Sequence, residues 1–134
     1  MSVADKIRVK VRRQNNPGAE PYWEEFELES RPNMNVIALL QEIRRNPVNV
    51  SGRQVAPVAW ECSCLEEVCG ACTMVINGRV RQACTALIDQ IETPVILQPM
   101  RKFPVVRDLV VDRSRMFETL KKVHAWVEID GTHN

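Results

Sequence analysis

Four cysteines in this chain have the types and spacing needed to wrap an inorganic cluster. Cys64, Cys69 and Cys72 follow C-x4-C-x2-C, and Cys84 comes after eleven further residues. This is the plant-type spacing for a 2Fe–2S cluster, with three thiolates from one loop and the fourth from further along. Such a cluster moves one electron at a time. It needs no general acid, no nucleophile and no substrate pocket of its own.

The spacing has a physical basis. A short loop can wrap a cluster only if it is irregular and its backbone N–H groups point inward at sulfur, where they help to set the reduction potential. Gly70 lies between two of the cysteines, where close approach and unusual φ/ψ are needed. Ala71 beside it is also small. Residues 73–81, TMVINGRVR, predict a hairpin with Asn77-Gly78 as a type I′ turn, which would return Cys84 to the loop.

Other chemistries for these thiols differ in pattern. Structural zinc sites usually show two close Cys pairs, or Cys with His, whereas only Cys69 and Cys72 are so spaced here. Cys69-Gly-Ala-Cys72 has the form of a thioredoxin-type C-x-x-C, but the strand-like TMVING follows it instead of a helix. A disulfide framework fits poorly with five cysteines and no secretory signal. The fifth, Cys62, fits no position of the motif and is expected to be a small buried hydrophobe.

The elements that must position the loop are readable on either side of it. Residues 6–12, KIRVKVR, alternate, with Ile7, Val9 and Val11 on one face and Lys6, Arg8, Lys10 and Arg12 on the other. Residues 22–29, YWEEFELE, put Phe26 and Leu28 inward and Glu25, Glu27 and Glu29 outward, suiting cross-strand pairing with the basic face. NNPG at 15–18 supplies the turn. A helix is predicted at 36–45, capped by Asn35, ended by Asn46-Pro47, with Val36, Leu39, Leu40 and Ile43 as its apolar stripe. After the cysteine loop and hairpin comes a strand near 94–100. Strand, strand, helix, loop, hairpin and strand in that order predict an α+β fold of the β-grasp type, a mixed sheet crossed by one helix.

Composition changes after Pro104, so a domain at 1–104 and the start of a helical one at 105–134 are expected. A helix is predicted at 113–123 with Asp112 as N-cap, an apolar face of Met116, Leu120 and Val123 with Phe117 beside them, and Lys121 and Lys122 at its C-terminal end. That face has no partner within the chain, so self-association through Met116, Phe117 and Leu120 is expected. His124 and His133, the two histidines, are expected at the surface. Trp23, Trp60 and Trp126 are expected in core or interface packing.

The charge balance, 18 basic against 17 acidic residues for a net +1, gives no reason to expect a nucleic-acid partner. No apolar run reaches membrane-spanning length, and the N-terminus runs almost directly into a strand pattern. With unpaired cysteines this points to a reducing, cytoplasmic compartment.

The stretches CLEEVCGACTMVINGRVRQAC and PMRKFPVVRDLVVDRSRMFETLKK resemble the iron–sulfur subunit of succinate dehydrogenase and fumarate reductase, essentially throughout the chain. The cysteine motif by itself also resembles the N-terminal 2Fe–2S domain of molybdenum hydroxylases. Those proteins carry further cysteines downstream, and none follows Cys84. The resemblance implies a ferredoxin-like domain whose 2Fe–2S cluster is held by Cys64, Cys69, Cys72 and Cys84. Some members are described with Asp at the third position; Cys72 implies full thiolate ligation. It implies an FAD-containing flavoprotein subunit as partner. Membrane anchor subunits would be reached through a C-terminal domain with two more clusters, placing the protein at the inner face of the bacterial cell membrane. Only the first helix of that domain is expected here. A free-standing ferredoxin is a rival, though such carriers are often strongly acidic. A zinc-stabilised β-grasp binding module is another.

Overall fold

The computed structural model describes residues 5–129 and 131, so His133 lies outside the described residues. Strand β1 (Lys6–Arg13) alternates exposed and buried side chains along its whole length. It pairs antiparallel with β2 (Tyr22–Glu29), Val9 opposite Phe26. Helix α1 (Val36–Arg45) follows. Then come β3 (Thr73–Ile76), β4 (Arg79–Gln82) and β5 (Val95–Gln98), which complete a five-stranded sheet ordered β2-β1-β5-β3-β4. β1 and β5 run parallel and the other neighbours antiparallel. A small hairpin of β6 (Val105–Arg107) and β7 (Val110–Val111) precedes helix α2 (Ser114–Lys122). This is the mixed sheet with one crossing helix that the sequence predicts.

The core forms where the apolar stripe of α1 meets one face of the sheet. Val36, Leu39, Leu40 and Ile43 are buried as expected, and Ile37 joins them. They pack with Val9, Val11, Phe26, Met74, Ile76, Val95 and Leu97. Burial of a side chain of this size contributes roughly 1.5–3 kcal/mol. Asn35 caps α1 by accepting the Ala38 N–H at 2.8 Å. On the other sheet face Arg8 meets Glu25 and Glu27 at 3.3 and 3.1 Å, and Lys6 meets Glu27. These pairs are exposed and each adds about 0.2–1 kcal/mol.

β1 extends one residue beyond its predicted end, and that residue has the wrong polarity for its face. Arg13 is 1% exposed. Its Nε and Nη2 reach both oxygens of the buried Asp108, at 3.3 and 3.0 Å. Nη1 donates to Glu24 Oε1 and Ala56 O, and Nη2 also to Pro57 O. All five guanidinium donors are thereby used. Asp108 also accepts from the main-chain N–H of Gln14 and Ala59. It sits in the β6–β7 turn at φ 46°, and its neighbour Leu109 enters the main core. The hairpin at 105–111 is therefore anchored to the β-grasp body.

α2 differs from its prediction at its start. Asp112 accepts the Ser114 N–H in a local turn, and Arg113, without a capping side-chain bond, stands at the N-cap. Asp112 sits one residue before the N-cap and takes only the first amide of the helix, not the second or third that an N-cap side chain serves. No side chain of α2 is buried; Met116, Phe117 and Leu120 are exposed. Trp60 packs against the core, whereas Trp23 and Trp126 are exposed and take no part in it. Lys10 lies over the Trp23 ring, and exposed His124 stacks on Trp126. No helix among the described residues is long and apolar enough to cross a membrane.

Candidate metal centre

The loop from Cys64 to Cys72 contains no helix or strand. Its path is set by three residues with positive φ: Leu65 at 59°, Glu67 at 61° and Gly70 at 74°. Gly70 is the position the sequence marked for such a conformation; Leu65 and Glu67 carry no signal of it. A non-glycine residue in this region costs roughly 1–2 kcal/mol, and the loop accepts that twice. The reward is the direction of its amides. The N–H groups of Glu66, Val68 and Cys69 point at Cys64 Sγ, at 3.4, 3.3 and 3.3 Å. Those of Cys64 and Ala71 point at Cys69 Sγ, both at 3.4 Å.

The Glu66, Cys69 and Val68 amides hold the Cys64 thiol down at about 7, because they favour the thiolate. Cys84 is shifted the other way. Burial pushes its thiol up, against a backbone N–H from Glu67, and the neighbouring Cys72 and Cys64 thiols add to the rise.

Cys72 and Cys84 are buried where the loop enters the sheet. Cys72 precedes β3, and Cys84 lies in a single 3₁₀ turn, Ala83–Thr85, just after β4. The two are joined by the predicted hairpin. Asn77 and Gly78 have φ of 48° and 82°, the two positive values a type I′ turn requires. The Ala83 N–H donates to Cys72 O at 3.2 Å, drawing Cys84 to Cys72. Asn35, besides capping α1, donates Nδ2 to Cys84 O at 2.9 Å. The start of α1 therefore fixes the fourth cysteine, a role sequence reasoning missed because the two residues are 49 apart.

The structure brings Cys64 beside Cys69 and Cys84 beside Cys72 and Cys64. Among the described residues no three His, Cys, Asp or Glu side chains converge on a single metal position. A binuclear cluster asks for something else, two thiolates at each iron, with sulfur-directed amides around them. The donor set and the five N–H···S contacts fit that requirement.

Cys62 is exposed and not the buried hydrophobe expected. It lies in an irregular stretch outside the core and lines an open cleft with Trp60, Glu61, Ala71 and Val110. Arg113 is a further residue missed from sequence: its guanidinium donates to the carbonyls of Gly70 and Ala71.

Residues 8–118 match the family described as a 2Fe-2S iron-sulfur cluster binding domain. Over all 134 residues the chain is 63% identical to the succinate dehydrogenase iron-sulfur subunit of Bacillus subtilis (strain 168), covering 53% of that protein. It is 29% identical to the fumarate reductase iron-sulfur subunit of Wolinella succinogenes over 118 residues, 87% of this chain and 46% of the relative. The chain thus spans about half the length of these curated relatives. A chain of the Mycobacterium smegmatis Sdh1 complex in the apo form has the same fold, with a TM-score of 0.76 at 23% identity over 98% of this chain and 54% of that one.

Proposed function

The chain belongs to the family of 2Fe–2S iron–sulfur cluster binding domains, and from that premise we propose that it is the electron-transfer unit of a succinate dehydrogenase or fumarate reductase complex. The bound cluster would accept and release electrons singly, between a two-electron flavin and later one-electron carriers. Four thiols of this chain would hold it. The contacts favour Cys64 with Cys69 at one iron and Cys72 with Cys84 at the other. The observation that carries this reading is the set of five main-chain N–H groups aimed at Cys64 and Cys69 sulfurs. Nothing in the hydrophobic core requires them. They stabilise negative charge on sulfur, which is what thiolate ligands carry and what reduction increases.

The partner in this reading is an FAD-containing flavoprotein subunit. The 105–111 hairpin is anchored to the β-grasp body, and α2 after it turns Met116, Phe117 and Leu120 outward. We read this segment as the opening of a helical domain that continues toward membrane anchor subunits at the inner face of the cell membrane. An unpartnered apolar face of that kind suits a complex better than a free-standing carrier.

The test is direct. Anaerobically purified chain should hold about two irons and two acid-labile sulfides, and give an EPR signal after dithionite reduction. Cys64, Cys69, Cys72 or Cys84 replaced by Ala should lose the cluster. Cys62→Ala, at an exposed position, should keep it with an unchanged visible spectrum. Mixed with the flavoprotein subunit and succinate, the cluster should become reduced. Stoichiometric zinc without sulfide would overturn the reading, as would cluster loss confined to Cys62→Ala.

A further inference from the structure

Arg113 is distant in sequence from the cysteine loop, yet its side chain lies against it. Nη1 donates to Gly70 O and Nη2 to Ala71 O, both at 2.8 Å. Gly70 and Ala71 are the two residues between Cys69 and Cys72. The Gly70 carbonyl belongs to the same peptide unit as the Ala71 N–H, and that N–H donates to Cys69 Sγ at 3.4 Å. The same carbonyl accepts from Thr73 twice, from its N–H at 3.1 Å and its hydroxyl at 2.8 Å. One peptide group therefore carries a cation, a hydroxyl and an amide on its oxygen and faces sulfur with its nitrogen.

Donors on a peptide oxygen polarise the whole unit and strengthen its N–H as a donor. A cation does this more strongly than a neutral group. Arg113 Nε is buried without an acceptor among the described residues. Water is therefore kept from part of the guanidinium and screens its charge less than it would at an open surface. The effect reaches sulfur along one peptide bond, and the positive charge itself lies on the far side of the same two residues.

We propose that Arg113 is a positioning residue that tunes the reduction potential of the cluster through the Gly70–Ala71 peptide. The inference rests on the 2Fe–2S reading above. Reduction adds negative charge to the cluster sulfurs, so a stronger N–H donor and a nearby cation both favour the reduced form and raise the potential. Arg113 is also the residue from which α2 starts, so the entry to the C-terminal segment and the cluster loop are tied by two hydrogen bonds.

The test is an EPR-monitored redox titration of the full chain and of Arg113→Gln and Arg113→Lys. Arg113→Gln removes the charge and should lower the midpoint potential. Arg113→Lys keeps a charge but cannot bind both carbonyls in the same fork, and should lie between wild type and Arg113→Gln. Thr73→Val removes the hydroxyl from the same carbonyl and should shift the potential in the same direction, by less. An unchanged potential in Arg113→Gln overturns the proposal. If that variant does not hold the cluster, Arg113→Lys decides in the same way. If neither holds it while wild type does, Arg113 is structural and the potential-tuning role is overturned. A wild-type chain without the 2Fe–2S signal is a failure of the functional reading instead, and a second readout covers that case. Amide exchange of the 64–73 segment in the metal-free chain should be several-fold faster in Arg113→Gln, and unchanged exchange would overturn the clamp.

Discussion

Two irregular regions of this molecule, the Arg13–Asp108 junction and the loop from Cys64 to Cys72, are held by opposite means. At the junction a buried cation meets two carboxylates and two main-chain carbonyls, and the Asp108 carboxylate collects two further amides. Every strong donor is matched by a strong acceptor. In the loop, main-chain amides point at thiol sulfurs, which are weak acceptors unless ionised or metal-bound. The junction is complete with protein groups alone. The loop is built toward what its sulfurs become when they carry charge. Stability should therefore be concentrated at the first region and metal dependence at the second.

The largest expected effect comes from breaking the junction. Asp108→Ala leaves the Arg13 guanidinium buried with its main partner gone, and loss of one member of a buried pair costs about 3–5 kcal/mol. Urea unfolding of the metal-free chain should show this as a lower midpoint with little change in slope. A double replacement of Arg13 by Met and Asp108 by Leu should recover only part of the loss: the guanidinium is no longer stranded, but Glu24 loses its cation and the Gln14 and Ala59 amides lose their acceptor. A single variant as stable as wild type would show that the junction does not hold the 105–111 hairpin to the sheet.

A smaller effect belongs to the loop and should separate it from the junction. Gly70 has φ 74°, and a Cβ there would meet only Thr73 Oγ1, at an ordinary 3.7 Å. Gly70→Ala therefore meets no clash and loses about 1–2 kcal/mol to the left-handed conformation alone. Global unfolding should move much less than in Asp108→Ala. Cluster release to a chelator, followed by loss of visible absorbance, should be several-fold faster. Equal effects of the two variants on unfolding would mean that loop and junction form one cooperative unit.

The sequence made the sheet and the thiols plain and left their supports hidden, for a common reason. Alternation in β1, the Asn35 cap, the α1 stripe and the Asn77-Gly78 turn are local patterns, and each appears where it is expected. The four cysteines were legible because their spacing is itself the motif. Arg13 was not, although Ile7, Val9 and Val11 place it on the inward face of β1; the partner that explains it, Asp108, lies 95 residues away. Asn35 with Cys84 and Arg113 with Gly70 are contacts of the same kind. Leu65 and Glu67 gave no hint of positive φ because loop geometry overrode residue preference. Cys62 was misplaced because a free cysteine is more often buried, and here the chain runs outside the core.

The mildest prediction asks whether the loop amides act on sulfur before any metal is bound. Glu66, Cys69 and Val68 amides hold the Cys64 thiol down at about 7, whereas an unfolded thiol ionises near about 8.5. The sign follows from that order. The depressed value stabilises the folded metal-free chain at pH above the unfolded value, and this contribution is lost as pH falls through about 7. Cys84, whose thiol burial pushes up, works against it at alkaline pH. Iodoacetamide labelling of the metal-free chain across about pH 5.5 to 9.5, read peptide by peptide by mass spectrometry, resolves the two sites. Cys64 should approach its plateau rate near neutral pH while Cys84 is still rising. The preference for Cys64 at neutral pH should be several-fold, because the lower basicity that makes more thiolate also makes each thiolate a weaker nucleophile. A Cys64 profile matching that of the urea-unfolded chain would show that its amides engage only once the cluster is in place. The contrast with the junction would then be sharper still, since the loop would owe its order to the metal.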